Sequence, residues 1–165
     1  MKTIQLTQGK VALVDDIDFE HLNNHKWHAA KTHRGTYYAA RKIRLADGKQ
    51  GTIFMHREVL GLNQGDPNCD HKNHNELDNR RDNLRRCTPL QNMQNQRPHR
   101  NGSSAFKGVC WNKKREKWQV QIRWEGHKKH LGYFDNEIEA AMAYDIVAVR
   151  YFGEFASLNF SKRSA

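Results

Sequence analysis

The chain has no long apolar run. None of its 165 residues lies in a stretch approaching the ~18–20 apolar residues of a membrane span, mean hydropathy is −0.97, and hydrophobic residues make up 37%. This excludes a membrane protein. The first residues lack the charged start and apolar stretch of a signal peptide, which predicts a cytoplasmic location. Cysteine is scarce too: Cys69, Cys87 and Cys110 are too few and too scattered for a disulfide framework. Against these absences stand 28 Lys+Arg and 18 Asp+Glu, a net charge of +10 before any of ten histidines is protonated. Four Trp, five Tyr and seven Phe supply packing anchors and argue against disorder. The length suits one domain or two small ones. A soluble, reduced, basic chain remains, and a polyanion is the partner its charge fits.

The charge is unevenly placed. Residues 1–79 are nearly neutral at +1, whereas residues 80–100 carry Arg80, Arg81, Arg85, Arg86, Arg97 and Arg100 against Asp82 alone, a net of +5. Residues 107–134 hold a net of +6, and 135–154 reverse sign. A single basic run is usually a solvated face. Two separated runs suggest two surfaces able to lie along one nucleic acid.

Residues 1–53 read as a β-rich scaffold, with strands expected at 3–6, 10–14, 27–31, 36–44 and 52–55 and a short helix over 16–24. His21, His25, His28 and His33 are spaced too irregularly to predict a metal site. Residues 54–96 are dense in His, Asn, Asp and Arg and poor in apolar side chains, a composition that suits a site better than a core. Residues 97–105 have linker composition. Residues 106–160 predict three strands (109–111, 118–124, 130–134) and a helix over 136–152, capped by Asp135, stopping at Gly153, and burying Ile138, Ala141, Met142, Ala148 and Val149.

The second stretch contains Cys69-Asp70-His71, then Leu77-Asp78-Asn79-Arg80-Arg81-Asp82-Asn83-Leu84, then Thr88-Pro89-Leu90-Gln91-Asn92. Thr88, Pro89 and Gln91 read as N-cap, first helical residue and capping-box partner. Asn92 and Asn95 then fall one turn apart on the helix. A hard divalent cation takes oxygen ligands, which Asp70 and the Asn92 carbonyl could supply. His71 is suited to act as general base toward a water attacking a phosphodiester. Asn83 could fix the hairpin and orient the imidazole.

These residues resemble the HNH nuclease motif, more narrowly its phage and intron homing subfamily, in which Asn replaces the third His. The resemblance implies a ββα-metal unit with His71 and Asn83 as catalytic residues, Asp70 and Asn92 as metal ligands, and Mg²⁺ or Mn²⁺ as the ion. Asn95 is the other candidate ligand if the helix register differs. His56-Arg57 stand where the subfamily often has His-Arg, placed either near the phosphate or in packing. No Cys-x-x-Cys pair is present, so no structural zinc is expected, and His74 is expected at the surface.

Strand alternation places Gln119, Gln121 and Arg123 on one face of the sheet and Trp118, Val120, Ile122 and Trp124 on the other. Gln and Arg suit adenine and guanine edges in a major groove, although an ordinary solvated face would look similar. Phe106-Lys107-Gly108-Val109, Leu131-Gly132-Tyr133-Phe134 and Glu139-Ala140-Ala141-Met142-Ala143-Tyr144-Asp145 resemble the DNA-binding domain of plant ethylene-response factors. That resemblance implies a sheet in the major groove, with Lys107, Gln121, Arg123, Lys128 and His130 at contact positions. Cys110, Gln121 and His130 depart from the plant pattern, so sequence preference does not transfer.

The expected fold class is α+β: a β-rich scaffold leading into a ββα-metal unit, then a three-stranded antiparallel sheet on one helix. The expected function is metal-dependent hydrolysis of double-stranded DNA by a monomer, with Gln119, Arg80, Arg81 and Arg85 joining the DNA contacts. Neither a membrane nor a small-molecule substrate is expected as partner. The alternative is a non-catalytic DNA-binding transcriptional regulator with a relic nuclease motif.

Overall fold

A computed structural model describes residues 1–33, 35–63, 65–97 and 102–160. Linker positions 98–101, Arg100 among them, lie outside the described residues. The described residues are mixed α and β, with small antiparallel sheets and four α-helices, and the chain divides into two compact units, Met1–Asn92 and Met93–Ala165. Among the described residues no helix is long and apolar enough to cross a membrane.

In the first unit β1 (Lys2–Gln5) pairs with β2 (Val11–Val14), and α1 (Asp16–Asn23) follows. A three-stranded meander comes next: β3 (His28–Lys31), β4 (Tyr37–Arg44) and β5 (Gln50–Phe54). The short helix α2 (Met55–Val59) leaves β5 directly. Hairpin β6 (Asn68–His71) and β7 (Leu84–Cys87) then leads into α3 (Pro89–Gln94). One core serves all of this: Ile4, Val14, Leu22, Trp27, Met55 and Leu84 are buried together. Trp27 anchors it, donating its indole N–H to the Leu22 carbonyl at 2.8 Å, so its polar edge is satisfied inside the apolar cluster.

The loop joining β6 to β7 is held to the first hairpin. Leu13 donates to the Leu77 carbonyl and Asn79 to the Leu13 carbonyl, each at 2.8 Å, forming an isolated parallel bridge between Leu13 and Asp78. Scaffold and motif stretch therefore fold as one body.

The second unit is the sheet β8 (Val109–Asn112), β9 (Lys117–Trp124) and β10 (His127–Phe134), with β9 central, covered on one face by α4 (Glu137–Phe152). Asn136, not Asp135, caps α4. Its extended backbone lets its side chain accept the amides of Ile138 (2.7 Å) and Glu139 (3.3 Å), while Asp135 pairs with Lys117 at 3.0 Å. The buried face of α4 also differs from expectation: Ala140, Ala141, Tyr144, Ala148 and Phe152 are buried, while Ile138, Met142 and Val149 are about half exposed. Alanine lets the helix axis approach the sheet, and strand residues such as Val120 and Ile122 fill the space. Periodicity alone cannot choose between two apolar stripes on one helix. The close approach also explains Gly108, at φ +77°, where a Cβ would lie 2.1 Å from the Tyr144 ring.

Candidate functional site

The hairpin places Asp70 and His71 at consecutive positions of β6, opposite Arg85 and Leu84 of β7. Both side chains are buried, at 6% and 5% exposure. His71 sits in an aromatic nest, its ring 5.1 Å from His56 and 5.9 Å from Tyr38. Burial pushes its pKa down to about 4, outweighing the opposing pull of the Asn79 side chain, Asp70 and Asp78. The imidazole is thus neutral at neutral pH and able to accept a proton.

Asn83 does what a hairpin clasp requires. Its side-chain oxygen accepts the Asn73 amide at 3.0 Å, and its NH₂ donates to the Asp78 carbonyl at 2.7 Å. It fixes the loop, while the Asn79 side chain raises the His71 pKa against its burial. Asn73 also donates to Asp78 at 2.8 Å. Burial would raise the Asp78 carboxyl, yet the hydrogen bonds from Arg80 and Asn73 outweigh it and hold it below the usual carboxylate range. Asp78 and Asn79, each 1% exposed, carry structural weight that the sequence reading assigned to no one. Their signal was the dense Asn/Asp run, which forms its own turn hydrogen bonds.

Helix α3 begins with the expected capping box. Thr88 donates its amide to the Gln91 side-chain oxygen at 2.8 Å, and Gln91 returns its amide to the Thr88 hydroxyl at 3.2 Å. Asn92, in the same helix, lines a cleft of about 270 Å³ together with Tyr38, Phe54, His56, Arg57, Asn68 and Cys69. Asn95 lies beyond the helix end and is buried. His56, 9% exposed, forms the cleft wall beside His71. Burial, then the charges of His71 and Arg57, lower its pKa to about 3, and among the described residues no group hydrogen-bonds to its Nδ1. Arg57 donates to the Pro67 carbonyl at 3.3 Å and also to the Asn63 carbonyl. His74 is half-buried, in the left-handed region at φ 58°. Burial raises the Cys69 thiol to about 12 and the Cys87 thiol to about 11, so neither is a reactive thiolate.

The arginines expected on DNA are differently engaged. Arg85 donates Nε (2.9 Å) and Nη2 (2.7 Å) to Asp70 Oδ2, an ion pair with both side chains under 10% exposed. Arg80 grips Asp78 with two bonds of 2.7 Å, and Arg81 grips Asp18 at 2.7 and 2.8 Å. Each guanidinium fork matches a carboxylate, so the cationic run at 80–86 holds the first unit together. Donor chemistry at the proposed ligands still suits a hard cation, since a carboxylate and an amide carbonyl are oxygen ligands. Arg85 and the ion would share the Asp70 carboxylate.

In the second unit the strand register brings the expected contact residues to one face. Gln119, Gln121 and Arg123 of β9 lie opposite Tyr133, His130 and Lys128 of β10, while Val120 and Ile122 are buried beneath α4. Arg123, Lys128 and His130 are exposed. Lys107 is set apart: it is half-buried, donates to the Gln94 carbonyl, and has its pKa lowered to about 8 by burial.

No family model matches the chain. It is 28% identical over 153 residues to an uncharacterised HNH endonuclease of Acanthamoeba polyphaga mimivirus, covering 92% of this chain and 76% of that one. It is 43% identical over 65 residues to an APETALA2-like protein of Oryza sativa, and 43% over 61 residues to an AP2-like ethylene-responsive transcription factor of Arabidopsis thaliana. The chain covers 15% of the rice protein and 11% of that plant factor. One likeness thus runs along nearly the whole chain and the other along a piece of module size. Together they support a nuclease, a DNA-binding protein, or both.

Proposed function

We propose that the chain is a metal-dependent DNA endonuclease of the HNH homing type, with a nuclease unit over 54–96 and a DNA-reading module over 106–160. The observation that carries this reading is His71, a buried imidazole kept neutral beside the buried Asp70 carboxylate, next to a cleft that Asn92 lines. Asp70 and Asn92 would hold Mg²⁺ or Mn²⁺ in a ββα-metal unit, and the ion would polarise the phosphate and stabilise the leaving oxygen. His71 takes the proton of the attacking water. His56 and Tyr38 hold its ring against rotation, and Asn83 keeps the loop beyond His71 closed. Arg123, Lys128, His130, Gln119 and Gln121 present hydrogen-bonding side chains to double-stranded DNA from the face away from α4.

A second reading rests on one specific contact. Arg85 already neutralises Asp70, which would suit a DNA-binding regulator whose motif has become structural. A supercoiled-plasmid assay separates the two. Nicking that requires Mg²⁺ or Mn²⁺ and is lost in His71→Ala supports the nuclease. Metal-independent or absent cleavage, with intact DNA binding, leaves the regulator.

A further inference from the structure

Two histidines read as scattered along the sequence meet a glutamate in space. His21 lies in the last turn of α1 and His25 four residues on, just past the C-cap Asn24. Asn24 keeps helical angles (φ −70°, ψ −6°), and the His25 amide donates to the Leu22 carbonyl at 3.2 Å. The helical rotation therefore continues to His25, and an i, i+4 pair shares one face. The two rings meet edge to face, centroids 5.7 Å apart. From α2, Glu58 completes the group. Its Oε1 lies 2.8 Å from His21 Nε2, and the ligand atoms of His21, His25 and Glu58 all lie within 4.8 Å of one another.

The carboxylate is held in place for this. Arg41 Nε donates to Glu58 Oε2 at 3.0 Å, and both side chains are largely buried, at 18% and 12% exposure. One oxygen is anchored and the other faces the histidines, the arrangement in which an outer hydrogen bond orients a ligand. A His21–Glu58 ion pair alone would account for two of the three groups and leave the approach of the His25 ring without a role.

We propose that His21, His25 and Glu58 form a binding site for a borderline divalent transition-metal ion, zinc in the first instance, separate from the nuclease ion. Two imidazoles and one carboxylate are a zinc-type donor set, whereas magnesium and calcium prefer oxygen throughout. Tetrahedral coordination at ~2.0–2.1 Å would place the donors about 3.4 Å apart, so the 2.8 Å His21–Glu58 contact would open slightly, an adjustment within reach of the exposed His21 ring, with water in the fourth position. The ion would tie the end of α1 to α2, the helix whose His56 walls the cleft.

The test uses the full chain stripped with a chelator and titrated calorimetrically with Zn²⁺ in Mg²⁺-free buffer, beside His25→Ala. The proposal expects one zinc per chain, a raised melting temperature on binding, and affinity at least about tenfold weaker in the variant. The metal-free variant should melt with the metal-free wild type, because His25 contributes no other side-chain hydrogen bond to the described structure. Absence of zinc binding, or binding unchanged in His25→Ala, overturns it. Co²⁺ substitution decides the ligand type: a spectrum without thiolate charge transfer supports the site, and a thiolate band assigns the metal to cysteine and overturns it. None of these readouts depends on DNA cleavage, so the outcome is independent of the nuclease reading.

Discussion

The chain carries two basic segments of similar net charge, and the fold uses them in opposite ways. Around residues 80–86, Arg80, Arg81 and Arg85 are paired with Asp78, Asp18 and Asp70. On β9 and β10, Arg123, Lys128 and His130 stand exposed on a sheet whose other face is already covered. Net charge predicts a polyanionic partner for both and is informative for one. What decides is whether a carboxylate lies within reach in three dimensions, and for Arg81 that carboxylate is 63 residues away in the chain.

The contrast can be broken most sharply at Arg85. Replacing it by Ala leaves Asp70 charged and buried without its guanidinium, an error that costs about 3–5 kcal/mol. The melting temperature of the first unit should fall by many degrees in calorimetry. An unchanged melting temperature would place Arg85 among the surface cations after all.

Arg123→Ala should do the reverse. Stability should stay within about 0.5 kcal/mol, while affinity for a selected DNA site falls by about 1–3 kcal/mol, read by fluorescence anisotropy. Equal affinity would remove the sheet from the interface.

Salt dependence sharpens the same distinction. Lys128→Ala should reduce the slope of log affinity against log salt by about 1, and Arg80→Ala should leave it unchanged.

Stability should also drift with pH. His56 titrates at about 3 in the fold, against an ordinary value of 6.5. Below 6.5 the unfolded chain therefore binds a proton that the folded chain refuses, so stability is lost as pH falls from about 6.5 toward 3. Chemical denaturation of His56→Phe across this window should show a shallower decline.

Local features were legible in the sequence. The Thr88–Gln91 capping box, the alternation along β9 and the stop at Gly153 depend on neighbours within a few residues, and the structure contains all three. The cap of α4 was misplaced by one residue, since Asp135 and Asn136 are both competent and only Lys117 on another strand distinguishes them. The arginine pairs and the meeting of His21, His25 and Glu58 depend on how α1, α2 and the hairpin pack. No spacing rule carries that information. At the candidate site the residue types were readable, but the enclosure of His71 by Tyr38 and His56 required the meander to be folded first.

The bridge between Leu13 and Asp78 bears on how such a motif could be moved between proteins. The stretch from His56 to Asn92 looks like a cassette, continuous in sequence and short enough to transplant. Its loop, however, is fastened to a strand near the amino terminus by two main-chain hydrogen bonds. A graft of the cassette alone would carry the histidine and leave its clasp behind. A graft that kept this fold would take the whole compact unit from Met1 to Asn92.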